Sequence, residues 1–248
     1  MPFDPDTGIG GTAGRFPPTR ATIVAGLRGG DASERDRAID ALASLYWKPL
    51  YKHVRIRWNR GNEDAKDLVQ GFFAHAIGKE ALEAYDPSQA SFRTWIRLLF
   101  DRYLANETKS SSRLKRGGSQ RALAFDEAER ELARQAVDTS LPPDEMLYRE
   151  WVRSLFSIAI ERLRAESSER GRQTAFEVFH AYDVDRSEGE RLSYADLAER
   201  FGVPETTITN HLSAMRRRFR ETALETLREA TASEQEFRAE ARALFGRT

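Results

Sequence analysis

The segment from Leu192 to Arg220 constrains the fold most strongly, because its residues predict two helices joined by a short turn. Ser193 can cap the first helix, and Asp196 can bind the exposed amides at the same helix start. Gly202 supplies the backbone freedom that a helix exit needs, and Pro204 stands where a new helix begins and no amide partner is lost. The segment therefore predicts a helix-turn-helix unit.

The second helix of this unit has an apolar face and a polar face. The residues expected to face inward recur at helical spacing and are Ile208, Leu212, Met215 and Phe219. The candidate DNA-binding residues are Thr206, Thr207, Thr209, Asn210, Ser213, Arg216 and Arg217, whose side chains suit a major groove. An ordinary helical hairpin with a solvated basic face is the alternative, and this segment alone leaves both interpretations open.

The composition limits the classes to which the chain can belong. At 248 residues it exceeds the usual size of one domain, so we expect two. It has 39 basic and 39 acidic residues, so charge placement, and not the net charge of zero, must attract any nucleic acid. The absence of cysteine excludes disulfides, thiolate metal sites and cysteine nucleophiles. We find no membrane-spanning apolar run and no signal peptide, which predicts a cytoplasmic protein without membrane insertion.

Helical periodicity runs through most of the chain, and there is no alternating strand pattern. The predicted fold class is therefore all-α, with two helical domains joined by a linker. The expected divisions are a flexible N-terminal arm over residues 1–30, a first helical domain over 31–116, a linker over 117–143, a helix-turn-helix domain over 144–221 and a C-terminal helical extension over 222–248. Stretches rich in Gly, Pro and mixed charge mark the arm and the linker.

The sequence contains no group of residues typical of catalysis. The four histidines are too scattered for a metal site or a proton relay: His53, His75, His180 and His211. We therefore expect no metal, no cofactor and no enzyme activity.

One predicted helix combines aromatic and basic residues. Trp95 shares this helix with Phe92, Arg93, Arg97 and Arg102. Such a helix can stack unpaired bases while its arginines hold phosphates. A core position is the alternative interpretation of Trp95, and helical spacing alone favours it.

Three segments, taken in order, resemble parts of the bacterial sigma factors of the sigma-70 family, in particular the small two-domain extracytoplasmic-function group. EDAKDLVQGFF at Glu63 to Phe73 is similar to the acidic helix of region two that docks on the RNA polymerase clamp. YDPSQASFRTWIRLLFDRYLAN at Tyr85 to Asn106 resembles the segment that melts and reads the minus-ten element. The helix-turn-helix at Leu192 to Phe219 resembles region four, which reads the minus-thirty-five element.

The resemblance implies a transcription initiation factor whose partners are core RNA polymerase and promoter DNA, with an anti-sigma factor or another regulator as a further candidate. The polymerase-binding residues that it implies are Glu63, Asp64, Asp67, Leu68 and Gln70. For the minus-ten element they are Phe92, Arg93, Trp95, Arg97, Arg102 and Asn106, and for the minus-thirty-five element they are the candidate residues of the helix-turn-helix.

The chain departs from the family pattern at several positions. Lys66 stands where the family commonly has an acid, which changes the charge of the docking helix. Thr209 and His211 stand at positions that are often basic in the family. Base contacts that the family makes there therefore do not carry over directly to these two residues. The linker is long for this group, and the extension goes beyond the family core.

Two rival functions remain open at this stage. A one-component regulator keeps the helix-turn-helix as its DNA reader and uses the first domain to bind a ligand or to dimerise. The second rival is a small hydrolase with a helical accessory domain. The sequence lacks a candidate nucleophile and the residue spacing of metal ligands, which disfavours this alternative.

The C-terminal extension carries a broken apolar stripe that needs a cover. Its residues are Leu224, Leu227, Ala230, Phe237, Ala241 and Phe245, with a break expected near Ala232 and Ser233. One hypothesis is that the extension folds back on the linker or on a DNA-facing surface and restrains the free protein. The alternative is a capping helix that only completes the C-terminal core.

Overall fold

The computed structural model describes residues 23–29, 31–76, 85–86, 88–110, 142–185 and 192–246, and all regular structure in this part of the chain is helical. The all-α prediction is thus confirmed for the described residues. The helices are α1 (Ile23–Gly29), α2 (Ala32–Arg57), α3 (Asn62–Gly71), α4 (Phe92–Ser110), α5 (Pro143–Glu169), α6 (Gln173–Phe179), α7 (Tyr194–Phe201), α8 (Glu205–Ala230) and α9 (Glu234–Phe245). α3 and α6 each continue into a π-helical turn, Phe72–Ala76 and His180–Val184.

The N-terminal arm expected over residues 1–30 is corrected at its C-terminal end. Ile23, Val24 and Leu27 are buried on one side of α1, which packs against α2. Burial of these apolar side chains offsets the entropy lost when the short helix forms. The rest of the arm, residues 1–22 and 30, and residues 117–141 of the predicted linker lie outside the described residues.

Helix α2 is the central element of the first half of the chain. Its N-terminus is a capping box in which the Asp31 carboxylate accepts a hydrogen bond from the Glu34 amide at 2.8 Å, and Glu34 accepts one from the Asp31 amide. α2 continues through Pro49 as one helix, although proline removes a backbone hydrogen bond in a helix interior. Its buried face includes Tyr46, Leu50 and other large side chains, so tertiary packing holds the helix through the proline.

Two hydrophobic cores organise the described chain, and two long helices belong to both. The first core contains the buried faces of α1 to α4 together with Leu155 of α5 and Leu227 of α8. The second contains Leu163 of α5 and Leu212 of α8, with the apolar sides of α6 and α7. The sequence places a domain boundary before α5, whereas the cores meet partway along α5 and α8. The two-domain sigma architecture therefore stays a prediction.

A buried ion pair joins the two halves of the chain across the first core. The Lys52 ammonium of α2 donates to the Glu150 carboxylate of α5 at 2.6 Å, and Arg153 contacts the same carboxylate. The side chains of Lys52 and Glu150 are only 2% and 10% exposed. A buried charge of this kind depends strongly on its partner, so the pair ties α5 to α2.

None of the helices in the described ranges combines the length and the apolar character needed to cross a bilayer.

Candidate nucleic-acid interfaces

Helices α7 and α8 form a helix-turn-helix whose ends are set by capping contacts. The Ser193 hydroxyl accepts a hydrogen bond from the Asp196 amide at 3.1 Å, and the Asp196 carboxylate accepts one from the Ser193 amide at 2.8 Å. Hydrogen bonds from Ser193 lower the pKa of Asp196, because they stabilise its charged form. Gly202 ends α7 in the left-handed region with φ 65°, and Pro204 directly precedes α8. Gly202 and Pro204, which predict the turn, thus lie at the end of α7 and directly before α8.

The first turns of α8 present a polar face to solvent. Ile208, Leu212 and Met215 are buried beneath it. The predicted DNA-binding side chains are exposed or, for Thr207, half-buried: Thr206, Thr207, Thr209, Asn210, Ser213, Arg216 and Arg217. The Thr209 hydroxyl donates to the Glu205 carbonyl at 3.1 Å, so its hydrogen is used within the helix. Thr206, Asn210 and Ser213 are exposed and form no such bond with the described residues, so they are better placed than Thr209 to bind base edges.

The arginines at the centre of α8 differ in their contacts. Arg216 donates two hydrogen bonds of 2.8 and 3.0 Å to Asp183, and these bonds raise the pKa of the guanidinium. Arg218 donates from its Nε alone to both carboxylate oxygens of Glu166, at 2.8 and 3.0 Å. Arg217 is exposed and forms no ion pair with any described residue. Arg217 can therefore bind a phosphate directly, whereas Arg216 has to release Asp183 first.

A cleft beside α8 contains basic residues that the sequence analysis does not single out. Arg170 and Arg172 line it together with Arg217. They flank Gly171, where φ is 64° and glycine lets the chain turn between α5 and α6. The triplet RGR between two helical segments is the available sequence signal. Its proximity to Arg217 depends on how α5 packs against α8, which no local pattern reveals.

Helix α4 presents large apolar and polar side chains on one face. Trp95 is half-buried and packs against the first core. Leu98, which is 42% exposed, lies one turn away, and Arg102 and Asn106 are also exposed. These four positions lie on the same side of the helix. An exposed leucine beside a tryptophan suits contact with unstacked bases, and the sequence analysis does not predict Leu98.

The structure corrects the predicted role of Phe92. Its side chain is 0% exposed and packs edge-on against Tyr46 and Tyr85, with ring centroids 6.3 and 5.3 Å away. Trp95 stacks on it with ring centroids 5.5 Å apart. In this conformation the Phe92 side chain cannot contact DNA, and it supports Trp95 from the core side.

Two of the predicted phosphate-binding arginines of α4 are paired with acids from distant parts of the chain. Arg93 donates to Glu240 of α9 at 2.7 Å. Arg97 donates to Asp144 of α5 at 2.5 Å and to Asp101 of its own helix at 2.8 Å. Both guanidinium groups are thus held by carboxylates in positions where phosphate oxygens are expected to bind.

Helix α3 carries an exposed acidic patch, which we define as Glu63, Asp64 and Asp67. Lys66 donates to Glu63 at 3.0 Å, so this departure from the family pattern neutralises part of the patch. Asp64 and Asp67 form no ion pair with any other described residue. Leu68 and Gln70, the other predicted polymerase-binding residues, are half-buried.

The C-terminal extension covers the first core and also contacts α4. α8 ends at Ala230 and α9 begins at Glu234, so the break lies where the sequence predicts it. Leu227 and Ala241 are buried in the core. Glu236 accepts a hydrogen bond from the Phe92 amide at 2.8 Å, beside the contact of Glu240 with Arg93. The extension therefore combines a capping contact with a contact to a predicted DNA-binding helix.

Among the described residues, no group of three or more His, Asp or Glu side chains is arranged to hold a metal ion. Comparisons of the chain with protein-family models, with curated proteins and with solved structures found no match.

Proposed function

We propose that this protein is a transcription initiation factor that binds core RNA polymerase in the cytoplasm and directs it to a subset of promoters. In this proposal α3 docks on the polymerase, α4 reads the minus-ten element and α8 reads the minus-thirty-five element. The exposed face of α4, with Trp95, Leu98 and Arg102, is the observation that carries the proposal. A helix that reads only duplex DNA has no need of an exposed leucine beside a half-buried tryptophan.

The chemistry of this face fits the opening of a promoter. Unstacking and unpairing a base costs on the order of a few kcal/mol, and a protein that captures the freed base recovers part of that cost. Trp95 and Leu98 offer apolar surface for the base, while Arg102 offers a cation for the adjacent phosphate. Easily opened sequences then bind best, which gives specificity without covalent chemistry.

The acidic patch of α3 supports a protein partner and not a nucleic acid at that surface. Asp64 and Asp67 are exposed carboxylates, which repel phosphates and attract basic side chains. A surface of this charge on the same chain as two candidate DNA-binding faces matches a factor that bridges an enzyme and its template.

The deciding experiment combines the protein with core RNA polymerase and sequences the transcripts made from genomic DNA. We expect transcripts that begin downstream of a shared pair of sequence elements. Asp64→Lys together with Asp67→Lys should weaken polymerase binding on the order of tenfold or more, because the charge of the docking surface is reversed.

Asp36→Lys with Glu169→Lys is the matched control, since both residues are exposed acids that lie outside the acidic patch. This control should bind polymerase as the parent does. Equal polymerase affinity of the folded acidic-patch variant and the parent removes α3 from the docking surface. Sequence-specific duplex binding without any polymerase association indicates the one-component regulator instead.

A further inference from the structure

The contact between α9 and the start of α4 places two carboxylates on groups that bind anions. Glu236 accepts a hydrogen bond at 2.8 Å from the amide of Phe92, the first residue of α4. Glu240 accepts one at 2.7 Å from the guanidinium of Arg93. Amides at a helix N-terminus and an adjacent arginine are the usual protein ligands of a phosphate. The two carboxylates thus bind two groups that commonly bind phosphate oxygens.

Neighbouring residues hold the side chains on both sides of this contact between α9 and α4. The second oxygen of Glu236 accepts a hydrogen bond from the Ala232 amide at 2.8 Å, which fixes its side chain at the start of α9. Arg93 lies over the rings of Tyr148 and Trp151, at 4.4 and 5.0 Å from their centroids. Both charged groups are therefore held in place by neighbours and are not merely adjacent at the surface.

The docked contact carries an electrostatic cost. Burial raises the pKa of Glu236, and the nearby charge of Glu240 raises it further. Two neighbouring acids of this kind cost free energy in the docked state, which makes the contact easier to release.

We propose that α9 is an autoinhibitory helix that uses Glu236 and Glu240 to occupy the phosphate site at the start of α4, and that the promoter backbone displaces it. This inference rests on the proposed function. The displaced α9 leaves the Phe92 amide and the Arg93 guanidinium to the DNA backbone. Because phosphate binding is independent of sequence, α9 restrains binding to all DNA and leaves base preference to α4 and α8.

The first test is the double variant Glu236→Gln with Glu240→Gln, which removes the charges and keeps the side-chain size. We expect the free protein to bind a fluorescent promoter duplex on the order of tenfold more tightly. A duplex of unrelated sequence should show a similar gain. Glu225→Gln with Glu234→Gln is the matched control, because both acids are exposed and neither contacts α4; its affinity should equal that of the parent.

The second test keeps Glu236, Glu240 and Arg93 unchanged and follows the distance between α9 and the start of α4. The chain contains no cysteine, so Gln89→Cys and Gln235→Cys can carry a donor and an acceptor dye at two exposed positions. Energy transfer should be high in the free protein and should fall as promoter DNA is added. Transfer that stays high on saturating DNA shows that α9 remains docked and overturns the proposal.

The remaining outcomes separate this inference from the proposed function. Suppose that the double variant Glu236→Gln with Glu240→Gln and the parent both direct transcription and bind DNA with equal affinity. In that case α9 only caps the core, and the initiation function stands. A lower melting temperature without tighter DNA binding leads to the same conclusion. If neither protein supports transcription with core polymerase but energy transfer still falls when DNA is added, the initiation function fails. The inference that α9 masks the start of α4 then stands.

Discussion

Glu236 and Asp101 are partly buried carboxylates whose surroundings shift their pKa values in opposite directions. For Glu236, burial and the charge of Glu240 raise the pKa, while hydrogen bonds from Ala232 and Phe92 and the charge of Arg93 oppose the rise. For Asp101, burial alone raises the pKa, but the hydrogen bond and charge of His53 and the charge of Arg97 lower it overall. The two residues therefore contribute to stability with opposite dependence on pH.

We expect the contribution of Glu236 to be largest at acidic pH. The folded state binds the proton of Glu236 more tightly than the unfolded chain does, so the stabilisation is complete below the ordinary pKa of 4.5 and is lost as pH rises through the folded pKa. Urea unfolding of the parent and of Glu236→Gln across this range provides the measurement. The difference in unfolding free energy, parent minus variant, should fall as pH rises.

Asp101→Asn should give the reverse slope in the same experiment. Asp101 is ionised more readily in the folded state, so its stabilisation is present above its ordinary pKa of 3.8 and is lost as pH falls through the folded pKa. The hydrogen bond between His53 and Asp101, 2.9 Å long, is the main contact that the variant weakens. Slopes of the same sign for the two variants would contradict these assigned surroundings.

At the scale of the element, α8 contains arginines that should contribute unequally to DNA binding. Arg217 has no ion-pair partner among the described residues, whereas Arg216 is bound by Asp183 through two hydrogen bonds. Arg217→Ala should weaken binding to all sequences and reduce the salt dependence of log affinity by about 0.9. Arg216→Ala should cost less, since DNA binding by Arg216 requires the loss of the Asp183 contact.

Titrations of labelled duplexes at several salt concentrations measure both effects. Asn210→Ala is the comparison, because its side chain is exposed and carries no charge. It should change the preference at one or two base pairs and leave the salt dependence unchanged. If Arg216→Ala costs more than Arg217→Ala, the ion pair with Asp183 is not retained in solution.

The ends of α7 and α8 could be predicted from sequence because their determinants are local. Ser193 and Asp196 cap a helix through hydrogen bonds across three residues, and Gly202 supplies the φ value that its position requires. The outward face of α8 follows from helical periodicity in the same way. Such features need no knowledge of the rest of the fold.

The contacts that limit the candidate site could not be predicted, because they join residues far apart in the chain. Arg93 and Glu240 are 147 positions apart, and Arg218 and Glu166 are 52 apart. Periodicity shows that α4 and α9 each have a face that needs a cover, but not which element covers it. The burial of Phe92 could not be predicted for the same reason, since its spacing fits both a core position and a stacking position.

At the scale of the molecule, the first core joins elements from both ends of the chain. Leu155 of α5 and Leu227 of α8 lie in the same core as Leu42 of α2 and Phe100 of α4. Separation of the two halves as rigid bodies exposes these apolar side chains to water, at about 25 cal/mol per Å². Opening by displacement of α9 at the start of α4 therefore costs less than complete separation of the halves.

The buried pair of Lys52 and Glu150 makes the stability of the two halves interdependent. Glu150→Ala leaves the Lys52 ammonium, whose side chain is 2% exposed, without its carboxylate partner. Loss of one member of a buried pair typically costs about 3–5 kcal/mol, so the melting temperature should fall by several degrees or more. Because α5 and α8 belong to both cores, we expect one cooperative calorimetric transition in the parent and in the variant.

Arg153→Ala is the control for this prediction, since Arg153 contacts the same carboxylate but its side chain is 55% exposed. Exposed ion pairs contribute about 0–1 kcal/mol, so this variant should melt close to the parent. Two separate transitions in the parent would show that the halves unfold independently despite the shared helices. In that case Glu150→Ala should lower only the transition that includes α2, because the carboxylate would then stabilise the first core alone.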